Sequence, residues 1–349
     1  MHSEAPFNAE PPLDRLRASF VTAAQDFYVR SHGDIPKLDA ATHRLRVCGR
    51  VDRPLDLSMA DLQALAPQRT LGAVLQCAGN RRADLQPVKP TSGDPWAAGA
   101  IGYAHWTGVA LHEVLRAAGA AASAHVAFDG ADQVEMAGRR FRYGVSIGMP
   151  RALQDDVLLA WAMNGETLRP EHGHPLRVVV PFYAGVRSPK WLTTITVQDH
   201  PSDNHMQQQD YKLLPASVTE ATVDWQAGLT INEMPLNAAI CTPQAQARLA
   251  PGATTIRGYA IAGRRAVARV DVSADGGGSW VQAALRHDPE TPGAWTFWAT
   301  TLDLPQGEHE LVARAWDEAG QTQPACAGDV WNFKGYLCAA WHRVPVSVR

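Results

Sequence analysis

Near residue 220 the patterning of this 349-residue chain changes character, and that change limits what it can fold into. Beyond it, alternating runs at residues 254–261, 267–273, 280–285, 295–302 and 310–317 are separated by turn residues. Asp275-Gly276-Gly277-Gly278 reads as a hairpin connection between two of them. Short strands at such spacing predict an all-β sandwich. Trp280, Trp295, Trp298 and Trp316 fall on strand positions and are expected to fill its core. Before residue 220, strands and helices mix without a regular β-α-β beat, which predicts an α+β unit rather than a doubly wound one. The boundary falls within residues 218–230, giving domains 1–225 and 226–349, and the length suits two cores.

Within the first unit the proline-rich first forty residues read as an extended arm. Leu45, Val47 and Val51 alternate with Arg44, Arg46 and Arg50 as a half-buried strand. Ser58 and Asp61 open a short helix ending near Ala66. A second helix buries Leu111, Val114, Leu115 and Ala118 and stops at Gly119. Apolar runs at 71–76, 157–163, 176–180 and 192–197 are strand candidates, with Asn164-Gly165 forming a tight turn after the second of these.

A formal net charge of -3 leaves no basic excess, so nucleic-acid or anionic-membrane binding is not expected and any anion site must be local. No apolar run approaches the roughly 18 residues of a membrane span. The start Met1-His2-Ser3-Glu4 carries no secretory pattern, and the expected location is cytoplasmic. The five cysteines, Cys48, Cys77, Cys241, Cys326 and Cys338, form neither C-x-x-C nor a zinc spacing. At least four are expected to pack as buried thiols, with Cys77 the candidate exception.

Cys77 sits in Gln76-Cys77-Ala78-Gly79-Asn80-Arg81-Arg82. Two adjacent arginines should lower its pKa, and the small residues should let the backbone approach a bulky ligand. A soft sulfur suits a nucleophile or a metal ligand, and the plain alternative is a buried thiol beside surface arginines.

This heptapeptide closely resembles the cysteine motif of the sulfite oxidase family, and further motifs follow in the family's order. They are Phe27-Tyr28-Val29-Arg30-Ser31-His32-Gly33, Asn164-Gly165-Glu166, Glu171-His172-Gly173-His174-Pro175-Leu176-Arg177, Ser188-Pro189-Lys190-Trp191-Leu192 and Asp210-Tyr211-Lys212. Trp331-Asn332-Phe333-Lys334-Gly335-Tyr336 and Trp341-His342-Arg343-Val344 resemble its C-terminal signature. The opening Pro6-Phe7-Asn8-Ala9-Glu10-Pro11-Pro12 is most similar to the plant-type members, which lack a haem domain.

The resemblance implies an α+β molybdopterin-binding domain followed by an immunoglobulin-like dimerisation sandwich. It implies a molybdenum–molybdopterin cofactor without haem, with Cys77 as the metal's protein ligand. The cofactor-contacting positions would be Tyr28, Val29, Arg30, Ser31, His32, Asp132, His172, Arg177, Ser188, Pro189 and Lys190. Arg177 and Lys190 can neutralise a phosphate, the histidines can donate to pterin heteroatoms, and Asp132 can accept from pterin N–H groups. Taken singly, each has a bland reading as a solvated charge or a satisfied core histidine.

The substrate pocket would gather Arg30, Arg82, Trp96, Tyr211 and Lys334, with Asp210 orienting the arginines. A small anion entering a partly dry cavity needs such fixed cations and donors. This chain departs from the family in three places. Lys334 stands where arginine is usual and is a point charge without a planar fork. Ser31 replaces an asparagine, and Gln207-Gln208-Gln209 precede Asp210 where animal relatives carry an aromatic and two arginines.

The implied activity is oxidation of sulfite to sulfate with an external acceptor, oxygen or a cytochrome, in a homodimer. One alternative is reduction of a sulfoxide or N-oxide, or action on another small oxyanion. From a different class comes an interaction module built on the sandwich, with a vestigial cofactor site.

Overall fold

The computed structural model describes residues 1–136, 138–288 and 294–349. Strands dominate it. Among the described residues the longest helices are Leu111–Ala118 and Met59–Leu65. Both lie where the sequence puts them. Ser58 Oγ accepts from the Asp61 N–H and the Asp61 carboxylate accepts from the Ser58 N–H, a complete capping box. Gly119, at φ 64°, ends the longer helix in the left-handed region that an L-side chain resists.

The first unit contains two five-stranded sheets. One runs in the order Leu55–Ser58, Arg44–Gly49, Leu192–Gln198, His125–Met136 and Arg139–Gly148, with its single parallel pair between the second and third strands. The other is antiparallel: Glu166–Thr167, Leu158–Met163, Ile101–Ala110 and Arg69–Gln76, with Arg177–Val179 also paired to Leu158–Met163. Asn164 and Gly165 both take positive φ (54° and 83°), which a two-residue hairpin turn needs to match strand twist. The long hairpin of the first sheet carries charges on its exposed face and was not visible as a strand pair in the sequence.

The second unit packs two sheets face to face. Asn237–Thr242, Gly252–Ile261, Thr296–Leu304 and Ala284–Arg286 make one; Ala247–Leu249, His342–Val348, Gly307–Asp317, Val267–Ser273 and Val281–Gln282 make the other. Ile240, Ile256, Val270, Val272, Trp298, Leu311 and Val346 form the core between them. The expected strand at 280–285 is two short pieces, Val281–Gln282 and Ala284–Arg286, because the chain changes sheets there. The residues from 289 to 293 fall outside the described part.

Three expectations are corrected. The first forty residues are not a free arm: they hold a hairpin (Ser3–Glu4 with Phe7–Asn8), a helix Leu13–Leu16 and a 3-10 turn Ala24–Asp26. They bury Leu16, Phe27, Tyr28 and Val29. Arg17 donates to the Gly258 carbonyl and Trp295 Nε1 to the Phe20 carbonyl, so this segment fastens the two units together. Elements this short show no period to read. Of the four tryptophans, Trp298 lies in the sandwich core and Trp295 in the first unit's core. Trp280 and Trp316 are half-buried on the outer face, stacked by the Arg314 guanidinium at 3.7 and 4.7 Å. Finally, Cys326 is exposed and Cys48 only half-buried.

Candidate active site

Strand Arg69–Gln76 alternates as strands do, so Leu75 faces the opposite side from Val74 and Gln76. Leu75 and Cys77 line one cavity, whereas Val74 and Gln76 line a smaller one on the strand's other face. Cys77 follows the strand's last residue and is held by its own N–H, which donates to the Ala100 carbonyl at 2.9 Å. Its sulfur accepts from the Gly79 N–H at 3.4 Å.

The two arginines after Cys77 part company. Arg81, at φ 65°, is fully buried and turns away from the thiol. It donates to the Asp84 carboxylate, to Asn237 Oδ1 at 2.7 Å, and to the Ala238 and Ala340 carbonyls. It is a structural tie to the second unit. Arg82 donates to the Asp94 carbonyl at 2.8 Å and the Lys334 carbonyl at 3.1 Å. The small residues serve Arg82 as well: a Cβ on Gly79 would lie 2.6 Å from its guanidinium, and one on Gly335 would lie 2.5 Å from its Cγ.

Burial pushes the Cys77 thiol above its usual range, against the opposing charges of Arg30 and Arg82 and the Gly79 N–H. The sequence expectation of a lowered thiol is therefore corrected in sign. The protein supplies cations near the sulfur but also dries it, and a bound metal cation is what would favour the thiolate.

Of the implied cofactor set, Tyr28, Arg30, Ser31, His32, Asp132, His172, Arg177, Ser188, Pro189 and Lys190 all line the larger cavity. Val29 does not. Its backbone exchanges hydrogen bonds with Ala9 and its side chain is buried elsewhere. His172 donates from Nε2 to the Ala24 carbonyl at 2.8 Å, which leaves Nδ1 as an acceptor. Burial, with the charges of Lys190 and Arg177, lowers its pKa to about 3, so it is neutral. Arg177 donates to the His172 and Ser188 carbonyls. Lys190 Nζ donates to Ser31 Oγ at 3.0 Å and the Glu171 carbonyl at 2.8 Å. Burial and neighbouring Arg177 bring its pKa down to about 7. The serine that replaces the family's asparagine thus serves as an acceptor for this lysine.

Two observations test whether these residues fit a phosphorylated pterin. Lys190 and Arg177 are cations crowded into one buried wall, an arrangement that an anionic phosphate would relieve. Asp132 Oδ1 is buried with no hydrogen-bond partner, and burial raises its carboxyl to about 6, so an acceptor faces the cavity. Among the described residues no group of three or more His, Cys, Asp or Glu could hold a metal ion. A metal here would take one protein sulfur and bring its remaining ligands on the pterin. The residues fit.

Of the implied pocket residues, Arg30 and Tyr211 line the cavity, whereas Arg82, Trp96, Asp210 and Lys334 stand outside its lining. The Tyr211 hydroxyl shares a 2.8 Å hydrogen bond with His32 Nε2. Burial and the Arg30, Lys190 and Lys334 charges hold His32 well below its usual pKa. Trp96 is fully buried, its Nε1 lacks a partner, and its ring lies 4.4 Å from His2. Asp210 does not orient the arginines. Its carboxylate accepts from Lys334 Nζ and from the Tyr336 hydroxyl at 3.3 Å. The sequence reading also passed over Tyr143, Glu171 and Trp191 in the lining, and Tyr336 behind Tyr211. Trp191, Glu171 and Tyr336 lie inside the quoted motifs; nothing in the sequence marked Tyr143.

Known proteins resemble this chain along its whole length. Residues 32–206 match an oxidoreductase molybdopterin binding domain, and residues 229–349 match a Mo-co oxidoreductase dimerisation domain. The chain is 42% identical to sulfite oxidase of Gallus gallus, over 98% of this chain and 76% of that protein. It is 37% identical to sulfite oxidase of Arabidopsis thaliana, over 99% of this chain and 92% of that one. The sulfane dehydrogenase SoxCD of Paracoccus pantotrophus superposes with a TM-score of 0.83 at 27% identity, covering 100% of this chain and 88% of that one. Fold and site thus define a molybdopterin-binding oxidoreductase. Within that class, the chain belongs to the sulfite oxidase family.

Proposed function

We propose that the protein oxidises sulfite to sulfate and passes the electrons to an external acceptor, oxygen or a cytochrome. The observation that carries this reading is the pair of cations, Arg30 and Arg82, acting on the buried Cys77 thiol beside the Tyr211 phenol. Both the chicken and the Arabidopsis relatives are named sulfite oxidases. When bound, the molybdenum–pterin cofactor supplies two-electron oxygen-atom transfer.

The residues of this chain supply the rest. Cys77 would hold the metal, while Arg177, Lys190, Ser31, His172 and Asp132 would hold the pterin and its phosphate. Arg30 and Arg82 draw a small oxyanion to the thiol's side of the cavity. Guanidinium groups fixed by backbone carbonyls need no reorganisation when charge builds up. Tyr211, with its pKa raised by burial, keeps its proton and offers the anion a hydrogen bond. Trp96 walls off water behind the site. Lys334 of the second unit stands outside the lining and acts on the pocket through its ion pair with Asp210. A neutral sulfoxide or N-oxide would leave both guanidinium groups without an anion, which favours the oxidative reading. A vestigial site on an interaction module is disfavoured by the intact cavity and its unpaired Asp132 acceptor.

The proposal includes a homodimer through an immunoglobulin-like second unit, with the division at 225/226. It also includes the absence of haem. The cytoplasmic placement remains part of it and rests on the sequence alone; among the described residues no helix is long and apolar enough to cross a membrane. Metal analysis with a sulfite-dependent dye-reduction assay tests the whole. About one molybdenum per chain, no Soret band and sulfite-dependent turnover are expected, since one thiolate makes one site. Loaded protein that turns over a sulfoxide but not sulfite would replace this reading by the reductive one.

A further inference from the structure

Tyr336 lies in the C-terminal segment, outside the cavity lining and 4% exposed. Its ring stacks on that of Tyr211 with centroids 5.1 Å apart and an angle of 15°. The Arg82 guanidinium sits 5.3 Å from the same ring's centroid. Its hydroxyl donates to Asp210 Oδ2, and Asp210 also holds Lys334. The main chain is fixed too. Asn332 Oδ1 accepts from the Tyr336 N–H, Asn332 Nδ2 donates to the Tyr336 carbonyl, and the Leu337 N–H donates to the Ala78 carbonyl beside Cys77.

One side chain of the second unit therefore touches three polar groups that the anion pocket depends on: Tyr211, Arg82 and, through Asp210, Lys334. We propose that Tyr336 is a positioning residue that sets the anion affinity of the pocket. It holds the Tyr211 phenol and the Arg82 cation in register, while its own hydroxyl stays committed to Asp210. The inference rests on the sulfite reading above only for the identity of the anion.

The reason is geometric. Tyr211 is held at its hydroxyl by His32, but ring tilt about that point is limited by what packs on its face. An offset-stacked ring supplies that limit, and a cation over an aromatic face resists displacement. An aliphatic side chain would fill some of the volume but offer neither a flat platform nor a negative ring face. A phenylalanine would keep both and lose only the hydroxyl.

The test compares holoenzyme with Tyr336→Leu and Tyr336→Phe variants. Sulfite kinetics and calorimetric binding of sulfate, used as a non-reacting oxyanion, are both measured. Tyr336→Leu should raise the sulfite KM and the sulfate Kd together by roughly tenfold, with kcat changed by less than about threefold. Tyr336→Phe should recover most of both affinities. Molybdenum content and Tm of both variants are measured alongside, and a KM shift at equal loading and Tm separates positioning from folding. If Tyr336→Leu is too unstable to load, Tyr336→Met is measured in its place, with the same expectation. Unchanged sulfate Kd in the loaded, folded aliphatic variant would overturn the proposal, as would a purely kcat effect. Sulfate binding that follows the expected pattern in an enzyme that does not oxidise sulfite would support Tyr336's role and refute the sulfite reading instead.

Discussion

Lys334 of the second unit is paired with the carboxylate of Asp210 in the first, a contact between residues 124 apart in sequence. Both side chains are largely out of solvent, at 19% and 5% exposure. The pocket's third cation thus carries its own counter-ion, and a substrate anion does not meet a free ammonium there.

Removing the lysine therefore does two things. It takes away a cation, and it leaves the nearly buried Asp210 carboxylate unpaired beside an anion site. Lys334→Ala should raise the sulfite KM more than it lowers kcat, because mostly ground-state binding is lost. It should also cost about 3 kcal/mol of stability, the lower range for breaking a buried pair. Lys334→Arg should keep the pair and match or improve the KM. Unchanged kinetics together with an unchanged Tm in Lys334→Ala would remove this residue from the site.

Arg81 and Arg82 are neighbours with opposite assignments, and substitution should separate them. Arg81→Met strips donors from Asn237, Ala238 and Ala340 inside a sealed interface. Unpaired buried acceptors of this kind predict a loss of about 3 kcal/mol by denaturant unfolding, with KM within about twofold under conditions where the protein remains folded. Arg82→Met should raise the KM, and it should also lower stability, because the Asp94 and Lys334 carbonyls lose their donor. If Arg81→Met raised the KM at unchanged stability, the assignment of the two arginines would have to be exchanged.

How these positions could be read from sequence differs in kind. The capped helices, the Asn164-Gly165 turn and most sandwich strands follow from periodicity and turn chemistry, which are local. The candidate site was legible because its members fall in contiguous motifs: Cys77, His172, Arg177 and Lys190, named from the resemblance, line one cavity. What escaped is what depends on three-dimensional direction. Sequence adjacency cannot say that Arg81 turns back into the second unit while Arg82 stays with the thiol. Nor can it say that desolvation outweighs two guanidinium charges at Cys77. The outer-face position of Trp280 and Trp316 was missed because a strand shows two faces, and partners from Arg314 decide which is wet. Val29 failed for the same reason: it lies within a cofactor motif and points out of the cavity.

Lys190 should make cofactor retention pH-dependent. Its pKa is about 7 in the folded protein, against 10.5 for an exposed lysine. Below about 7 both states carry the proton, and the folded cofactor-free chain bears the full penalty of a buried ammonium. Between about 7 and about 10.5 the unfolded chain binds more protons, so the cofactor-free protein gains stability as pH rises. Phosphate binding needs the charged form and so follows the opposite course, weakening as pH climbs above about 7. Asp132, raised to about 6, contributes a penalty that grows as pH rises from 3.8 to that value. Pterin retention after gel filtration at several pH values should fall above neutrality, and Lys190→Met should flatten that decline while lowering retention throughout. A decline unaltered in Lys190→Met would place the titrating group elsewhere.

Cys77 carries the greatest weight, and its surroundings let the test be clean. Among the described residues it is the cysteine on the cavity wall: Cys48 is half-buried near Thr196 at 3.7 Å, and Cys326 is exposed. The pterin contacts proposed for His172, Arg177 and Lys190 lie on other strands and turns of the cavity wall, so they should survive the loss of the sulfur. A serine oxygen is a harder, weaker donor to a soft or high-valent metal, and in a dried site with a raised pKa it would stay protonated. Cys77→Ser should therefore retain much of its pterin while losing at least about a hundredfold in turnover, the upper range for disturbing a metal's near environment. Cys48→Ser and Cys326→Ser should keep both. Pterin content, molybdenum content and sulfite-dependent dye reduction are to be measured on all three. Near-normal turnover in Cys77→Ser would mean that the metal is held by some other group, and the roles given to Arg30, Arg82 and Tyr211 around that sulfur would fall with it.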